Sequence, residues 1–233
     1  MTTDPGLTLA ELVTRAGALI VPGQRRLLGI TGPPGAGKST LASAICEALG
    51  DVAAYVPMDG FHLSNEQLDK LGLRHRKGAP ETFDAAGFVA LLGRLRDAGE
   101  SAVRAPAFRR DLDAVVLDAI VIPPSASLVV IEGNYLLLDA GPWRDVRRVL
   151  DETWYLRSDE ARVERLIRRH IEAGQAPGQA AAFVQASDEH NARVIGATAD
   201  RADLVIIGLP ALGVRAPDLH ACRDQTKRPE ERP

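Results

Sequence analysis

The chain has 233 residues, a formal net charge of -3, 45% hydrophobic and 25% charged residues. That composition fits one ordinary soluble α/β domain whose core needs no staples. The near-neutral charge leaves no long-range field to recruit nucleic acid or an acidic membrane, and no run approaches the roughly 20 apolar residues of a spanning helix.

The polar, acidic start MTTDPGLT is unlike a signal peptide. Cys46 and Cys222 stand far apart, which gives neither a disulfide framework nor a paired-cysteine metal site. Cys46, in LASAICEAL, reads as a small core residue. The expectation is a reduced, cytoplasmic protein that binds neither nucleic acid nor membrane.

Apolar residues at helical spacing, Leu9, Leu12, Val13 and Leu19, predict a first helix over Leu7 to Ile20, broken by Pro22-Gly23. Leu27 to Thr31 is a short apolar strand. A glycine-rich turn follows, then a helix from Ser39 to Leu49 closed by Gly50. Val52 to Met58 is the next strand, and the polar stretch Ser64 to Glu81 carries the basic run Arg74-His75-Arg76-Lys77.

Asp84 is placed as N-cap of a helix reaching Ala98. Val103 to Phe108 and Val115 to Ile122 read as short antiparallel strands. Leu128 to Ile131 is continuously apolar, the mark of a strand buried on both faces. Two further strands, Thr153 to Leu156 and Leu204 to Ile207, bracket helices over Glu160 to Ala173 and Ala180 to Ala197. This alternation predicts a mostly parallel sheet with helices on both faces. The polar, proline-bearing segment from about Arg215 is expected to be disordered.

The strongest signal is Gly32-Pro33-Pro34-Gly35-Ala36-Gly37-Lys38-Ser39-Thr40, a complete G-x-x-x-x-G-K-[ST] pattern between an apolar strand and a helix. Glycines let the backbone curl so that successive N–H groups face one anion. The start of the helix adds the positive end of its dipole. Lys38 can reach β- and γ-phosphates, and the Ser39 hydroxyl can ligate Mg²⁺.

Two acids follow directly after strands, Asp59 in VPMDGFH and Glu132 in LVVIEGNY. Ligands of a parallel sheet gather outside the carboxyl ends of its strands, so both belong at the edge that carries the phosphate loop. Asp59 can accept the proton of an attacking hydroxyl, and Glu132 can hold Mg²⁺, directly or through water. The two roles can also be exchanged or shared.

GPPGAGKST, then MDGFH, then RKGAPETFD, then VVIEGNY resemble, in order and spacing over roughly 27–207, the uridine kinase, phosphoribulokinase and pantothenate kinase group of P-loop kinases. The resemblance implies a three-layer P-loop fold using ATP and Mg²⁺, in a single kinase domain over 1–214. A substrate-binding excursion is expected near 60–125 and a helical lid near 160–190, with the tail 215–233 beyond. Asp59 takes the place of the group's catalytic aspartate, Glu132-Gly133 that of its acid-glycine pair, and Lys38 and Ser39 those of its P-loop lysine and serine. Lys77 to Asp84 is similar to the Lys-Gly-x-Pro-Glu-Ser-Tyr-Asp segment of bacterial pantothenate kinases. The Asp-His-Pro stretch of uridine kinases is absent, which weighs against uridine. The overall pattern is also similar to bacterial proteins labelled as fructose-transport kinases.

Arg76 and Lys77 can bind a carboxylate or phosphate on the acceptor. Arg109 and Arg110 lie where relatives place substrate-contacting residues, and His62 follows Asp59 by three. In the lid helix Arg162, Arg165, Arg168 and Arg169 stand off the apolar face of Val163, Leu166, Ile167 and Ile171. Arg165 and Arg169 share one side, as expected of charges brought to a transferring phosphoryl group. His190-Asn191 on the next helix and Ile207 to Pro210, against an adenine ring, are assigned by resemblance alone. So is a homodimer, since several related kinases are dimers.

The expected activity is therefore transfer of the ATP γ-phosphoryl group to an alcohol of a small polar metabolite: a pantothenate-like acid, a sugar or a nucleoside. A GTP-driven switch or metallochaperone is the rival reading. It lacks the guanine-reading Asn-Lys-x-Asp motif and a histidine or cysteine cluster. A nucleotide sensor without catalysis is the second rival.

Overall fold

The computed structural model describes residues 2–97 and 101–208. The predicted tail, and Leu209-Pro210 of the proposed adenine contact, lie outside them. Six strands form one parallel sheet: β1 (Thr2–Pro5), β2 (Arg26–Thr31), β3 (Ala53–Pro57), β6 (Leu128–Glu132), β7 (Glu152–Arg157) and β8 (Leu204–Ile207), in the order β1-β8-β7-β2-β6-β3. The remaining strands, β4 (Val103–Arg109) and β5 (Ala114–Ile122), pair antiparallel in a separate hairpin, as the two apolar runs predict. Strand β1 is the addition: nothing in its polar sequence announces a strand, and its partner β8 supplies the ladder.

Alternate residues of the central strands serve opposite faces. Leu28, Ile30, Val130 and Trp154 pack with Leu12 and Ala16 of α1 (Leu9–Gly17) and Leu41 and Ile45 of α2 (Lys38–Leu49). Leu27, Val129 and Ile131 pack on the other face with Phe88, Leu91 and Leu95 of α4 (Ala85–Asp97) and with Trp143. Both faces being covered explains why these strands read as unbroken apolar runs. Cys46 is only partly buried but lies against the first cluster, where burial pushes its thiol up to about 12. Among the described residues no helix is long and apolar enough to cross a membrane.

The register fixes the site. Glu132 pairs with Ile30 on one side and Pro57 on the other. The phosphate loop begins two residues past Ile30 and Asp59 stands two past Pro57, so loop and both acids share one sheet edge.

The excursion is more ordered than its polarity suggests. Ser64 caps a short helix, α3 (Asn65–Lys70), in a reciprocal capping box with Gln67. The hairpin leans on the turn Met58–Phe61 at Gly60, where a Cβ would lie 2.2 Å from the Pro106 carbonyl oxygen. Pro106 sits where the β4–β5 register shifts, and its carbonyl leaves room for glycine alone.

Helix α5 (Val146–Val149) follows β6, and α6 (Arg162–Glu172) follows β7. Beyond them α7 (Pro177–Phe183) and α8 (Glu189–Gly196) run on through one π turn, Val184–Asp188, where a single helix was predicted. That turn brings Asp188 inward to a buried position.

Two substitutions test these supports. The predicted N-cap of α4 is real, since Asp84 Oδ1 accepts from the Gly87 amide at 2.9 Å, and Asp84→Ala is expected to cost about 1 kcal/mol in urea unfolding. Gly60→Ala, by overpacking the turn against β4, is expected to cost about 1–3 kcal/mol by the same measurement.

Candidate active site

Three successive carbonyls of the phosphate loop are held by three cations. The Pro33 carbonyl accepts from Lys38 Nζ at 3.1 Å, Pro34 from Arg162 Nη1 at 3.4 Å, and Gly35 from Arg165 Nη2 at 3.0 Å. The carbonyls thus turn to the side chains, while the first-turn amides of α2 have no intrahelical acceptor. Gly35 has φ of 78°, and a Cβ there would meet Leu166 of α6 at 2.8 Å. Helix α6 is therefore packed directly on the loop. Gly32, Ala36, Gly37 and Thr40 complete the turn into α2. The curvature and the donor-rich side fit a polyphosphate.

Lys38 is only 6% exposed, and its Nζ lies 3.8 Å from Glu132 Oε1. Burial lowers the lysine pKa and raises that of the carboxyl, and each charge offsets the other's shift. Glu132 Oε2 also accepts from the Ser39 hydroxyl at 3.2 Å and from the Tyr55 hydroxyl at 3.0 Å. Ser39 and Glu132 are thus two adjacent protein oxygens. Among the described residues no cluster of three or more histidine, cysteine or acidic side chains forms a metal cage. Two oxygens beside a phosphate loop suit Mg²⁺, which takes one or two protein ligands and completes its shell with phosphates and water.

Asp59 lies in the turn Met58–Phe61 with its carboxylate 38% exposed, not turned into the core. Its charge acts on Lys38, Glu132 and Arg169 together. Arg110 Nη2, from the hairpin tip, stands 3.8 Å from Asp59 Oδ2. Arg169 lies on the exposed side of α6, and its guanidinium pKa is lowered, first by the protein packed around it and then by the charge of Arg110.

The two arginines of α6 singled out from sequence divide. Arg169 feels the charges of Asp188, Asp59 and Glu132, whereas Arg165 is occupied by the Gly35 carbonyl and by Asp159 at 2.8 Å. Arg162, predicted only as one of a crowd, is the buried one, ion-paired to Glu189 and hydrogen-bonded to the loop.

On the acceptor side, His62 Nδ1 lies 2.8 Å from the Asp59 carbonyl oxygen. A carbonyl only accepts, so that nitrogen carries the proton. Burial lowers the imidazole pKa despite Asp59 nearby, which keeps the ring neutral with an Nε2 lone pair. Phe83 and Phe108 flank it, with ring centroids 4.0 and 4.8 Å away.

The basic candidates are largely spoken for: Arg76 by Glu81 at 2.8 Å, Lys77 by Asp113 at 2.6 Å and Asn65 at 2.7 Å, Arg109 by both oxygens of Asp111. Tyr135 and Asn191 both donate to the Gly78 carbonyl, at 2.5 and 3.3 Å. They tie the Lys77-Gly78 loop to the end of β6 and to α8. Neither tyrosine was singled out from sequence. The available signal was a phenol in a buried segment, whose hydroxyl must find a partner.

Comparison with known proteins agrees with this geometry. The profile of the Phosphoribulokinase / Uridine kinase family matches residues 27–214. A Schizosaccharomyces pombe protein provisionally named a uridine kinase is 35% identical over 174 residues, 70% of this chain and 74% of its own length. An ATP-dependent kinase-like protein of Aspergillus versicolor is 38% identical over 133 residues, covering 54% of this chain and 77% of that one. The crystal structure of a Silicibacter sp. TM1040 protein, provisionally named a fructose transport system kinase, superposes with a TM-score of 0.77 at 40% identity over 86% of this chain and 99% of the other. The chain belongs to the Phosphoribulokinase / Uridine kinase family, P-loop phosphotransferases that act on hydroxyl groups of small molecules.

Proposed function

We propose that this chain transfers the γ-phosphoryl group of ATP to a hydroxyl of a small polar metabolite, an acid alcohol, a sugar or a nucleoside. The observation that carries the reading is the open carboxylate of Asp59, which shares one sheet edge, and one electrostatic field, with Lys38, Glu132 and Arg169. A hydrolytic switch has no need of a base aimed at a second substrate.

Residues 32–40 wrap the triphosphate with backbone amides. Lys38, a rotatable ammonium now on the Pro33 carbonyl, turns to the β- and γ-phosphate oxygens. Ser39 and Glu132 would hold Mg²⁺, which would neutralise phosphate charge there. Asp59 takes the proton of the acceptor hydroxyl as its oxygen attacks the γ-phosphorus. The bond from that phosphorus to the β,γ-bridging oxygen breaks and ADP leaves with the electron pair. Arg169 faces the charge that spreads over the transferring group. Arg165 and Arg162 act at one remove, by holding the loop carbonyls and thus the loop's shape.

Asp59→Asn is expected to lower acceptor-dependent ADP release by about 10²–10⁴-fold while ATP binding, read by calorimetry, is retained. Equal activity in the variant would remove the base assignment, and acceptor-independent GTP hydrolysis by the wild type would favour a switch. For Glu132→Gln, which preserves the shape beside Tyr55 and Ser39, the Mg²⁺ concentration giving half-maximal rate is expected to rise about 10- to 100-fold. An unchanged Mg²⁺ titration would leave Glu132 with only its partnership to Lys38.

A further inference from the structure

We propose that the alcohol this enzyme phosphorylates carries an anionic group of its own, a carboxylate or a phosphate, and that Arg110 at the tip of the β4–β5 hairpin binds that group beside Asp59. This rests on the kinase reading above and specifies its acceptor.

The excursion carries five cationic candidates, Arg74, Arg76, Lys77, Arg109 and Arg110. Arg74 is paired to Asp69 at 3.1 Å, Arg76 to Glu81, Lys77 to Asp113 and Asn65, and Arg109 bidentately to Asp111. Each is held within hydrogen-bond distance of its partner.

Arg110 differs from these. Among the described residues its ion-pair partner is Asp59 at 3.8 Å, too far for a hydrogen bond, and its side chain is 55% exposed. So loose and exposed a pair contributes little to stability. A tight one would also oppose the work of a base, by favouring its ionised form.

Asp59 has a second cation in reach. Arg110 stands 3.8 Å from its carboxylate, and Arg169 of α6 feels the charges of both Arg110 and Asp59. Two guanidiniums gathered about one carboxylate suit two anions there. The transferring phosphoryl group supplies one, on the side of Arg169 and Glu132. The acceptor supplies the other, on the side of Arg110 and the hairpin.

His62 cannot serve an anion, because its ring is held neutral and its Nδ1 proton is given to the Asp59 carbonyl. Its Nε2 lone pair instead accepts from a second hydroxyl, with Phe83 and Phe108 as flanking walls. Lys77 lies over the Phe108 ring, 5.1 Å from its centroid, and holds that wall in place. One loosely held guanidinium, one neutral acceptor and one carboxylate base describe the complement of a small polyhydroxylated acid or sugar phosphate, not of an uncharged nucleoside.

The test uses the full chain with ATP and Mg²⁺ and matched acceptors. These are glycerol, glycerate and glycerol 3-phosphate, then ribose, ribonate and ribose 5-phosphate, read by ADP release and by thermal shift. In at least one series an anionic member is expected to exceed its neutral parent by about 100-fold or more in kcat/KM. The carboxylate and phosphate arms then say which anion is meant.

Arg110→Met is expected to raise the KM for that acceptor about 10- to 100-fold with the KM for ATP within about twofold, and Arg110→Lys to recover part of the loss. Preference for a neutral acceptor overturns the inference and leaves the kinase reading intact. So does a wild type that binds ATP but neither turns over nor is stabilised by any anionic member. An Arg110→Met variant that loses ATP and acceptor affinity alike also overturns it, by placing Arg110 on the transferring phosphate. Failure to bind ATP at all sinks the kinase reading itself.

Discussion

The site at this sheet edge depends on a tight backbone loop whose carbonyls are held by charge. Pro33, Pro34 and Gly35 each present a carbonyl to a cation, Lys38, Arg162 and Arg165 respectively, and the Pro33 carbonyl also accepts from the Ala36 amide at 3.2 Å. A buried backbone oxygen left without a donor, such as that of Pro34, would cost about 1–3 kcal/mol, so these side chains do more than decorate the loop. Two of the three come from α6, which also seats Leu166 where Gly35 lacks a Cβ. Helix α6 is therefore part of the phosphate loop's support, and a movement of α6 would change the loop.

The second constraint is the buried pair of Lys38 and Glu132. Neither charge is stable there alone, because desolvation opposes both. Together, with Ser39 and Tyr55 donating to the carboxylate, they persist in a region shielded from water. Such a pair is weak evidence for stability, but it keeps a cation and an anion ready where phosphate and metal charges exchange. Tyr55 belongs to β3 and Glu132 to β6, neighbouring strands, so the pair's orientation is built into the sheet.

Much of this was legible in the chain. Strands buried on both faces announced themselves as LLGIT and LVVIE, and the phosphate loop carries its own chemistry in its glycines, lysine and serine. Asp84 declared a cap and kept it. What escaped was of two kinds. Helix α3 was hidden in a polar stretch, although the Ser64 and Gln67 spacing of a capping box was present; without an apolar stripe, periodicity had nothing to report. The basic run looked like a ready anion site because no periodic pattern pairs Arg74 with Asp69 or Arg76 with Glu81, and the partner of Lys77 is remote. Asp113, which takes Lys77, lies 36 positions away across a hairpin whose register no local pattern specifies. Arg162 and Arg169 could not be told apart either, since helical spacing gives a face but not what that face meets.

That division between near and remote partners bears on how acceptor choice is built. The phosphate chemistry sits on β2, β6 and α2, whose positions follow from strand register and cannot shift without disturbing the core. The acceptor side hangs on a few contacts: Gly60 against the Pro106 carbonyl, the bridge between His62 and Phe83, and the Gly78 carbonyl gripped by Tyr135 and Asn191. These contacts fix where the hairpin tip lies relative to Asp59 but say little about which side chains it carries. On the acceptor reading proposed above, a change at Arg110 alters what is recognised without touching the sheet. A change at Gly60 moves the whole tip and alters where the recognised hydroxyl meets its base. Specificity and catalysis are thus joined through one glycine, and geometry at that point, more than the identity of any single basic residue, decides whether a bound alcohol can react.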